Sequence, residues 1–305
     1  MEIYYEGKDI TGYVVPKRCI ARDTCGDRCD SLEIEFENAE DWFRWGPQQD
    51  DKILVAHRGY DTGTMYLNTI VPENGRYKIY GTSLPCAARR RENRSFTEKT
   101  IEQIMRQCAR NSGMEFKLFG IDGGTVIPYI QQNEESAAAF LRRLLMLEGA
   151  TLKCINGAYV GIGISYAQER AAHQSIEITA SQRGVDYTKT GERLESFTVQ
   201  TPYAGATARD LAEAGKKLNE KSSIYPAKDD IQAGRWARGL LLQHNRACEV
   251  LRLRTEYNIG YTAMTRIDIT GKTAAAGAWL IEEAEHDFMG DASTVKLYRC
   301  ISDIQ

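Results

Sequence analysis

The stretch of sequence that decides the fold runs from Thr82 to Gly163. Its first part, residues 82–120, reads TSLPCAARRRENRSFTEKTIEQIMRQCARNSGMEFKLFG, and its second part, residues 126–163, reads VIPYIQQNEESAAAFLRRLLMLEGATLKCINGAYVGIG. The pattern predicts two amphipathic helices and a hairpin, with a cluster of arginines ahead of them. The stretch therefore indicates a compact α+β module that carries little catalytic chemistry.

The first helix is predicted from an apolar stripe that follows Thr97. Its members recur at the i, i+3, i+4, i+7 and i+8 spacing of one helix face: Ile101, Ile104, Met105, Cys108 and Ala109. Thr97 is the expected N-cap, because a hydroxyl can accept a hydrogen bond from the first turn. Gly113 is the expected C-terminal stop.

The second helix is predicted over about 134–148, where a second apolar face recurs: Ala137, Phe140, Leu141, Leu144 and Leu145. We expect Asn133 to cap its start and Gly149 to end it. After it, Asn156-Gly157 separates two short apolar runs, which is the pattern of a tight hairpin turn. Residues 86–164 therefore form the predicted α+β module.

Residues 1–85 are predicted to be all-β. Short alternating segments recur at residues 2–5, 32–36, 52–57, 65–71 and 77–80. In the second of these, Leu32, Ile34 and Phe36 alternate with glutamates, as a half-buried strand requires. Asn74-Gly75 predicts a hairpin turn, and Trp42, Phe43, Trp45 and Gly46-Pro47 suggest an aromatic turn at one end. Strands at this spacing favour a small barrel or sandwich.

Residues 165–305 are predicted to form a second small β-barrel with a helical insertion at about 204–247. Strand patterns occur in SIEITA, SFTVQT, EVLRLRTEY, TAMTRIDIT, AWLIEEAEHDF and STVKLYRC. One helix is expected from Ala208, Leu211, Ala212, Gly215 and Leu218. A second is expected over 233–244, with Asp229 or Asp230 as its cap. The fold class is thus α+β and mainly β, with two barrels around an α+β module.

Composition excludes several classes of protein. The chain has 305 residues, and 39 Lys+Arg against 42 Asp+Glu give a net charge of −3, so no global basic field attracts nucleic acid or anionic lipid. No apolar run approaches the roughly 20 residues of a membrane helix. The start MEIYYEGKDITG lacks the pattern of a signal peptide. We expect a soluble chain made in the cytoplasm.

Eight cysteines are scattered along the chain, and three of them lie close together. Cys19, Cys25 and Cys29 have the spacing C-x5-C-x3-C, with His57 as the nearest candidate for a fourth ligand. Structural zinc sites usually have four well-spaced ligands, so we expect loop and strand-edge thiols rather than a metal site. No cofactor is expected either.

Catalytic signals are sparse. The sequence contains no G-x-S-x-G elbow, no H-E-x-x-H and no Walker A loop. His286 lies in the acidic run EEAEHD, where Glu285 or Asp287 are possible partners, but a structural role is the expected one. Adjacent acids such as Glu134-Glu135, Asp229-Asp230 and Glu282-Glu283 fit helix capping better than glycoside hydrolysis. We expect no enzyme.

The arginine cluster comprises Arg89, Arg90, Arg91 and Arg94. Arginine forks suit phosphate, but a surface for single-stranded nucleic acid interleaves its charges with stacking aromatic residues. A solvated connector or a subunit interface is therefore favoured. Its acidic partners on a neighbouring copy are expected near Glu33, Glu35 and Glu37.

These motifs together resemble a known family. The series L-P-x-A-A-R-R-x-x-N-R-S-F at residues 84–96, I-P-Y-I-x-Q from Ile127, E-S-x-x-x-F-L-x-R-L from Glu135 and E-G-A-T-L from Glu148 are similar to the baseplate hub proteins of contractile phage tails. These are the late control protein D type hubs, which also occur in defective prophages and R-type bacteriocins. DSLEIEFEN before WFRWGPQQDDKI, and AGAWLIEEAEHDF before TVKLYRC, resemble the first and second barrels of the same family.

The resemblance implies a structural hub that forms a homotrimer. Two similar barrels per subunit would give a pseudo-sixfold ring, which joins a sixfold tail tube to a threefold central spike. The implied partners are the tube, spike, wedge and tape-measure proteins, with no nucleic-acid contact and no membrane insertion. The implied location is the baseplate of a virion or tail-like particle.

Two alternatives remain open at this point. Some relatives of the family carry peptidoglycan-cleaving domains, and a tail-tip cell-wall hydrolase or peptidase is the main competitor, although we expect a hub without such a domain. A carbohydrate-binding β module is the other alternative. It would require a concave site lined by Trp42, Trp45 or Trp279.

Overall fold

The computed structural model of the protein describes residues 1–37, 44, 46–73, 76–179 and 183–305. Within those residues there are four α-helices: α1 (Ile101–Ser112), α2 (Ala137–Leu147), α3 (Ile164–Glu169) and α4 (Asp230–Ala247).

Strands make up most of the regular structure. The N-terminal part contains β1 (Glu2–Tyr5), β2 (Lys8–Asp9), β3 (Pro16–Thr24), β4 (Ser31–Phe36), β5 (Lys52–His57), β6 (Tyr60–Asp61), β7 (Met65–Glu73) and β8 (Arg76–Thr82). The middle part contains β9 (Arg91–Thr100), β10 (Glu115–Phe119), β11 (Val126–Ser136), β12 (Ala150–Ile155) and β13 (Ala158–Gly163). The C-terminal part contains β14 (Gln174–Glu177), β15 (Val185–Lys189), β16 (Ser196–Gln200), β17 (Gly205–Arg209), β18 (Asn219–Ser222), β19 (Glu249–Glu256), β20 (Arg266–Thr270), β21 (Gly277–Asp287) and β22 (Ala292–Arg299).

The five strands expected in the N-terminal part are confirmed, but the sequence pattern missed β3. This strand lies at the centre of the sheet between β4 and β21, and Cys19, Ile20 and Ala21 are all buried in succession. A strand buried on both faces shows no apolar alternation, so the period-2 signal is absent. The expected turn at Asn74-Gly75 and the aromatic residues Trp42, Phe43 and Trp45 lie outside the described residues.

Both helices of the module begin three residues later than the sequence suggested. Thr97 lies within β9, and Thr100 caps α1 in a capping box with Gln103. Asn133 likewise lies within β11, and the Ser136 side chain accepts from the backbone of the first turn of α2. The reason is that β9 and β11 pair along most of their length, so the ribbon continues until a hydroxyl residue allows the switch to helix.

The remaining features of the module match the expectation. The apolar stripes of both helices are buried, and Gly113, with φ 65°, ends α1 in the left-handed conformation. β12 and β13 form the expected hairpin, in which Asn156 (φ 48°) and Gly157 (φ 67°) adopt the positive φ values of a type I′ turn. β10 adds to this hairpin in parallel, and the helices pack on the resulting three-stranded sheet.

The helix expected from Ala208 to Leu218 is wrong. Residues there form β17, a short 3-10 turn (Leu211–Glu213) and β18. The buried carboxylate of Asp210 accepts hydrogen bonds from Arg193 and from Asn245 of α4, and it also caps the 3-10 turn. These long-range contacts outweigh helix propensity. The second expected helix is α4, capped by Asp229 as predicted.

The expected pair of closed barrels is not found within the described residues. Their strands form one open sheet of 14 strands, with the order β15-β19-β22-β21-β3-β4-β8-β7-β5-β1-β2 and β6, β14 and β20 beside this path. The reason is that β3, from the N-terminal part, pairs with β21, from the C-terminal part. Each part thus uses an edge strand to join the other part instead of closing on itself.

On either side of the β3–β21 pair the strands follow a matching antiparallel pairing pattern, although the chain passes through them in a different order. From the centre outward, β3, β4, β8 and β7 are matched by β21, β22, β19 and β15, and every neighbouring pair is antiparallel. β7 and β8 are separated by two residues, whereas residues 190–248 connect β15 to β19. These residues, here called the inserted segment, hold β16–β18 and α4. The sheet is therefore built from two similar halves.

Candidate subunit interface and buried joints

The four arginines lie where the N-terminal half of the sheet passes into the module. Arg89 ends a short 3-10 turn, and Arg91 and Arg94 lie on β9. β9 pairs with β11 in a two-stranded ribbon, which is anchored inside by Phe96 stacked on Phe140 of α2, with 5.3 Å between the ring centroids. The ribbon thus holds Arg91 and Arg94 at defined positions on the surface.

Two of the arginines already have partners in their own chain. Arg89 donates to the side chain of Asn68 and lies 3.8 Å from the Asp50 carboxylate. Arg94 pairs with Glu92 on the same strand. Both residues are half-buried, and carboxylates of the same chain already compensate their charges.

Arg90 and Arg91 are different, because both are exposed. Among the described residues, no carboxylate lies within 4 Å of either guanidinium group. These two residues are therefore the part of the cluster that is available to another chain.

The glutamates expected to receive these arginines already have cationic partners in the same chain. The pairs are Glu33 with Arg18 and Arg22, Glu35 with Arg76 and Lys78, and Glu37 with Lys17. Their charges are thus largely compensated before any second copy approaches. The structure gives no support to this part of the expectation.

A buried ionic joint connects the module to the centre of the sheet. Lys153 of β12 is 7% exposed, and its Nζ lies 2.5 Å from Asp23 of β3 and 3.3 Å from Asp30. Asp23 also accepts the backbone N–H of Ala263 at 2.6 Å, and Asp30 accepts that of Thr24 at 2.8 Å. One ammonium group therefore ties together the hairpin, the central strand and a loop of the C-terminal half.

In this joint, one ammonium group contacts two carboxyl groups. Burial alone would lower the pKa of Lys153, but Asp23 and Asp30 outweigh it, so its pKa is raised and the ammonium stays protonated. Burial raises the pKa of Asp30 to about 7, because the single positive charge of Lys153 is shared with Asp23. The joint thus holds two carboxylates against one cation.

A second joint connects the module to the inserted segment. The carboxylate of Glu148, at the end of α2, accepts from the indole N–H of Trp236 and from Nε of Arg235, each at 2.9 Å. Gly239 lies beside this contact, where an added Cβ would sit 2.3 Å from the carbonyl oxygen of Leu147. The backbones of α2 and α4 therefore approach as closely as a glycine permits.

A third joint connects the inserted segment to the large sheet. Arg246 of α4 is 1% exposed, and its guanidinium donates to Glu282 of β21 at 2.6 Å. The same group lies 5.1 Å from the centre of the Tyr298 ring on β22. Because this buried arginine contacts both Glu282 and Tyr298, it fixes the angle between α4 and the large sheet.

These joints could not be found from sequence. The side-chain partners lie 36 to 130 residues apart, and the motifs that contain Asp30, Glu148 and Glu282 do not indicate these contacts. A lysine such as Lys153 in the alternating run TLKCI looks like an ordinary solvent-facing residue of a strand. Its contact with Asp23 of β3 forms only when the chain folds.

Aromatic and imidazole rings fill the contact between the two halves of the sheet. Tyr60 and His57 from the N-terminal half meet Tyr257, His286 and Phe288 from the C-terminal half, with ring centroids 4.7 to 6.5 Å apart. The exposed pair Arg58–Asp291 and a hydrogen bond from the Tyr257 hydroxyl to the His57 carbonyl border this contact.

His286 is a core residue and not a surface base. It is fully buried, and its nitrogens contact the Ser293 hydroxyl and the Tyr261 carbonyl, each at 3.0 Å. Because a carbonyl can only accept, Nε2 carries the proton and Nδ1 accepts from Ser293. Burial lowers the pKa of His286. The partners considered from sequence, Glu285 and Asp287, are not the residues it contacts, and nothing in this arrangement favours a hydrolase.

The expectation of loop and strand-edge thiols is only partly met by the three cysteines near the N-terminus. Cys19 lies on the central strand β3 and Cys25 directly after it, both buried, whereas Cys29 is half-buried with its Sγ 2.9 Å from the Thr82 hydroxyl. Burial raises the pKa of Cys19 and Cys25. In the described part of the chain, no three His, Cys, Asp or Glu residues are arranged to hold a metal ion.

The tryptophan platform of a carbohydrate-binding module is not present at Trp279. Its side chain is fully buried, and the indole N–H donates to the carbonyl of Ala275 at 2.8 Å. Trp42 and Trp45 lie outside the described residues. No helix within the described ranges is long and apolar enough to cross a membrane.

The middle of the chain matches a known family model. Residues 82–154 match the model of the phage tail baseplate hub (GPD) family. This range covers β9 to β12 and contains the arginine cluster, both module helices and Lys153. No curated protein matches the chain in sequence.

The fold as a whole is similar to solved tail proteins. The 43 kDa tail protein of prophage MuSo2 from Shewanella oneidensis has a TM-score of 0.76 and 14% identity, covering 98% of each chain. The tail protein from Neisseria meningitidis MC58 also has a TM-score of 0.76, with 9% identity, covering 98% of this chain and 95% of the other. An E. coli protein described as a component of the type VI secretion system, with structural similarity to the T4 bacteriophage tail proteins gp27 and gp5, has a TM-score of 0.62 and 12% identity, covering 99% of this chain and 78% of the other. The chain therefore contains a segment that matches the phage tail baseplate hub family model, within a fold that is similar to that of prophage tail proteins.

Proposed function

We propose that this protein is the structural baseplate hub of a contractile tail or tail-like particle. Three copies form a ring that joins the sixfold tail tube to the threefold central spike. The protein acts mechanically, as an adaptor between two symmetries, and catalyses no reaction.

The observation that carries the proposal is the matching antiparallel pairing pattern of the two halves of the large sheet. Each chain presents two similar four-strand halves around the β3–β21 pair. Three copies with such a repeat present six similar halves around one axis, while the true symmetry of the ring stays threefold. A threefold object can then contact a sixfold tube on one face and a threefold spike on the other.

The buried joints support a role in transmitting force. Lys153, Glu148 and Arg246 each connect two structural units through charge-assisted hydrogen bonds. A particle that transmits force needs structural units that do not rotate against one another, and buried charge-assisted hydrogen bonds fix the relative geometry of the elements that they join. The module and the inserted segment are therefore rigid parts of the hub.

The family match at residues 82–154 and the likeness to tail proteins support the same assignment. The partners of the proposed hub are its own copies, the tail tube protein, the central spike protein, and the wedge and tape-measure proteins. It works at the baseplate after synthesis in the cytoplasm of the bacterial host. It needs neither nucleic-acid contact nor membrane insertion.

Arg90 and Arg91 have a specific place in this proposal. They are the exposed pair of the cluster, with Arg90 just before β9 and Arg91 at its start, and we assign them to contacts with a neighbouring copy. Arg89 and Arg94 position the ribbon from within the chain.

Co-expression with the neighbouring tube and spike proteins tests the function. The hub is expected to purify in a complex with both, in the ratio of three hubs to one spike trimer. A hub that binds neither protein, while remaining folded by circular dichroism, contradicts the proposal. Cleavage of purified peptidoglycan by the hub alone would favour the hydrolase instead.

A further inference from the structure

A polar cavity lies on the face of the large sheet that is opposite the apolar core of its C-terminal half. Its volume is about 440 Å³, with β19, β21 and β22 as its floor and the loop after β3 as one wall. Leu251 and Leu297 point into the apolar core, so Arg252 and Lys296, which alternate with them, point to the side of the cavity. We name it the cationic pocket, after Arg252, Lys296 and Arg28, which line it.

Most of the acidic side chains that line the cationic pocket already have a partner. The pairs are Glu282 with Arg246 at 2.6 Å, Glu285 with Arg22 at 2.8 Å, and Asp27 with Arg142 at 2.7 Å. The fourth acidic residue is Glu283, which lies opposite Lys296 in the β21–β22 pair and makes no ion pair within the described ranges of the chain. One acidic charge of the pocket is therefore uncompensated.

The cations of the pocket have no carboxylate partner. Across the residues that the structure describes, no carboxylate oxygen lies within 4 Å of the charged groups of Arg28, Arg252 or Lys296. Arg252 and Lys296 also lie directly opposite each other on β19 and β22, and like charges in that arrangement destabilise a sheet. Three free cations against one free carboxylate leave the pocket with an excess of two positive charges.

The hydroxyl of Tyr298 adds a donor to the pocket. Lys296 donates to its oxygen at 2.9 Å, and the Tyr298 ring lies 4.8 Å from the Lys296 ammonium and 5.1 Å from the Arg246 guanidinium. Because Lys296 is the donor in that contact, the hydroxyl proton of Tyr298 stays available. The described residues provide no acceptor for it. An ammonium and a hydroxyl donor therefore lie side by side in the pocket.

The arrangement of these donors selects the kind of anion. Arg28 belongs to the loop after β3, Arg252 to β19 and Lys296 to β22. A single phosphate is typically bound by several backbone N–H groups at one point, whereas the N–H groups of these strands are used in the sheet. Carboxylates spaced along an extended segment can each reach one of the separate cations and form charge-assisted hydrogen bonds.

We propose that the cationic pocket binds an acidic segment of a partner protein through its glutamate or aspartate side chains. Lys296 and Tyr298 donate to one carboxylate, while Arg252 and Arg28 pair with others. The bound carboxylates remove the repulsion between Arg252 and Lys296. The site is additional to the contacts assigned to Arg90 and Arg91, and it requires no ring of copies.

Fluorescence anisotropy with a labelled peptide of alternating glutamate and serine tests the site, at about 50 mM salt, where screening is weaker than at physiological salt. The same peptide with glutamine in place of glutamate is the control probe. We expect Arg252→Gln with Lys296→Gln to raise the Kd of the acidic peptide at least about tenfold, as for loss of one charged hydrogen bond. The matched control, Lys99→Gln with Lys117→Gln, removes two exposed cations from β9 and β10. It should keep the Kd within about twofold of wild type, because distant exposed charges are screened.

Tyr298→Phe and charge reversal give the second test. Tyr298→Phe keeps the ring against Arg246 and removes only the hydroxyl, so the Kd should rise by about three- to tenfold. Arg252→Glu with Lys296→Glu should abolish binding of the acidic peptide and create binding of a peptide of alternating lysine and serine. Circular dichroism melting curves show that each variant is folded.

The contrary outcomes are distinct. A wild-type protein that binds the glutamate and glutamine peptides alike overturns the proposal, and so does acidic-peptide binding that the pocket variants leave unchanged. Inorganic phosphate that displaces the peptide at concentrations below about 1 mM would make the pocket a phosphate site instead. The proposed hub is judged separately, by its complex with the tube and spike proteins.

Discussion

The most demanding prediction concerns Lys153, because its side chain is buried against two carboxylates. Substitution Lys153→Met keeps most of the volume and removes the ammonium that contacts Asp23 and Asp30. The carboxylates keep their backbone donors, Ala263 and Thr24, but lose their only cation within 4 Å among the described residues.

The expected loss of stability follows from that arrangement. Removing one partner of a buried ion pair usually costs about 3–5 kcal/mol. Asp30 has a pKa of about 7, so at neutral pH it takes up a proton at little cost once the ammonium is gone. The buried pair then carries one uncompensated charge instead of two, which places the loss near the lower end, at about 3–4 kcal/mol. With an unfolding entropy of about 2.1 cal/mol/K per residue, the apparent Tm falls by roughly 5 °C.

Urea unfolding and thermal melting of the purified variant provide the assay. Lys99→Met is the matched control, because Lys99 is exposed on β9, and it should change the free energy of unfolding by no more than about 0.5 kcal/mol. Adding Asp23→Asn to Lys153→Met should recover about 1 kcal/mol, since the amide keeps the acceptor for Ala263 without the charge. A loss for Lys153→Met no larger than that of the control refutes the assignment of this contact as a joint.

Three further predictions use other parts of the chain. His286 has a lowered pKa, so its contribution to stability is present above pH about 6.5 and is lost as the pH falls; His286→Asn should flatten the loss of unfolding free energy between pH 7 and pH 5 relative to wild type. Gly239→Ala should destabilise by about 2 kcal/mol or more, because the new Cβ meets the Leu147 carbonyl oxygen at 2.3 Å, whereas an uncrowded helical glycine would gain about 1 kcal/mol; calorimetry gives the sign. Ser136→Ala should cost about 1 kcal/mol as a lost N-cap, while Asn133→Ala should be nearly neutral, and equal losses would contradict the observed start of α2.

Local patterns predicted the elements whose cause is local. The buried stripes of α1 and α2, the hairpin turn at Asn156-Gly157 and the cap at Asp229 all depend on residues within one or two turns of each other. The starts of both module helices were misplaced because strand pairing between β9 and β11 extends to Thr100 and Ser136. That pairing joins residues far apart in sequence, so no local signal contains it.

The larger errors have the same origin. The expected closed barrels are not observed because β3 pairs with β21. This pairing connects residues about 260 positions apart. The expected helix after Ala208 failed because Asp210 is held by Arg193 and Asn245. The arginine cluster is visible in the sequence, but its division into a half-buried pair and an exposed pair depends on Asn68, Asp50 and Glu92.

The number of chains in the assembled particle tests the central claim most directly. Native mass spectrometry of the purified protein, followed by electron microscopy of the same sample, measures both mass and symmetry. We predict three times the mass of one chain and a ring with threefold symmetry whose outline shows six similar lobes. A particle of two, four or six chains, or a monomer at concentrations well above those in the cell, contradicts it.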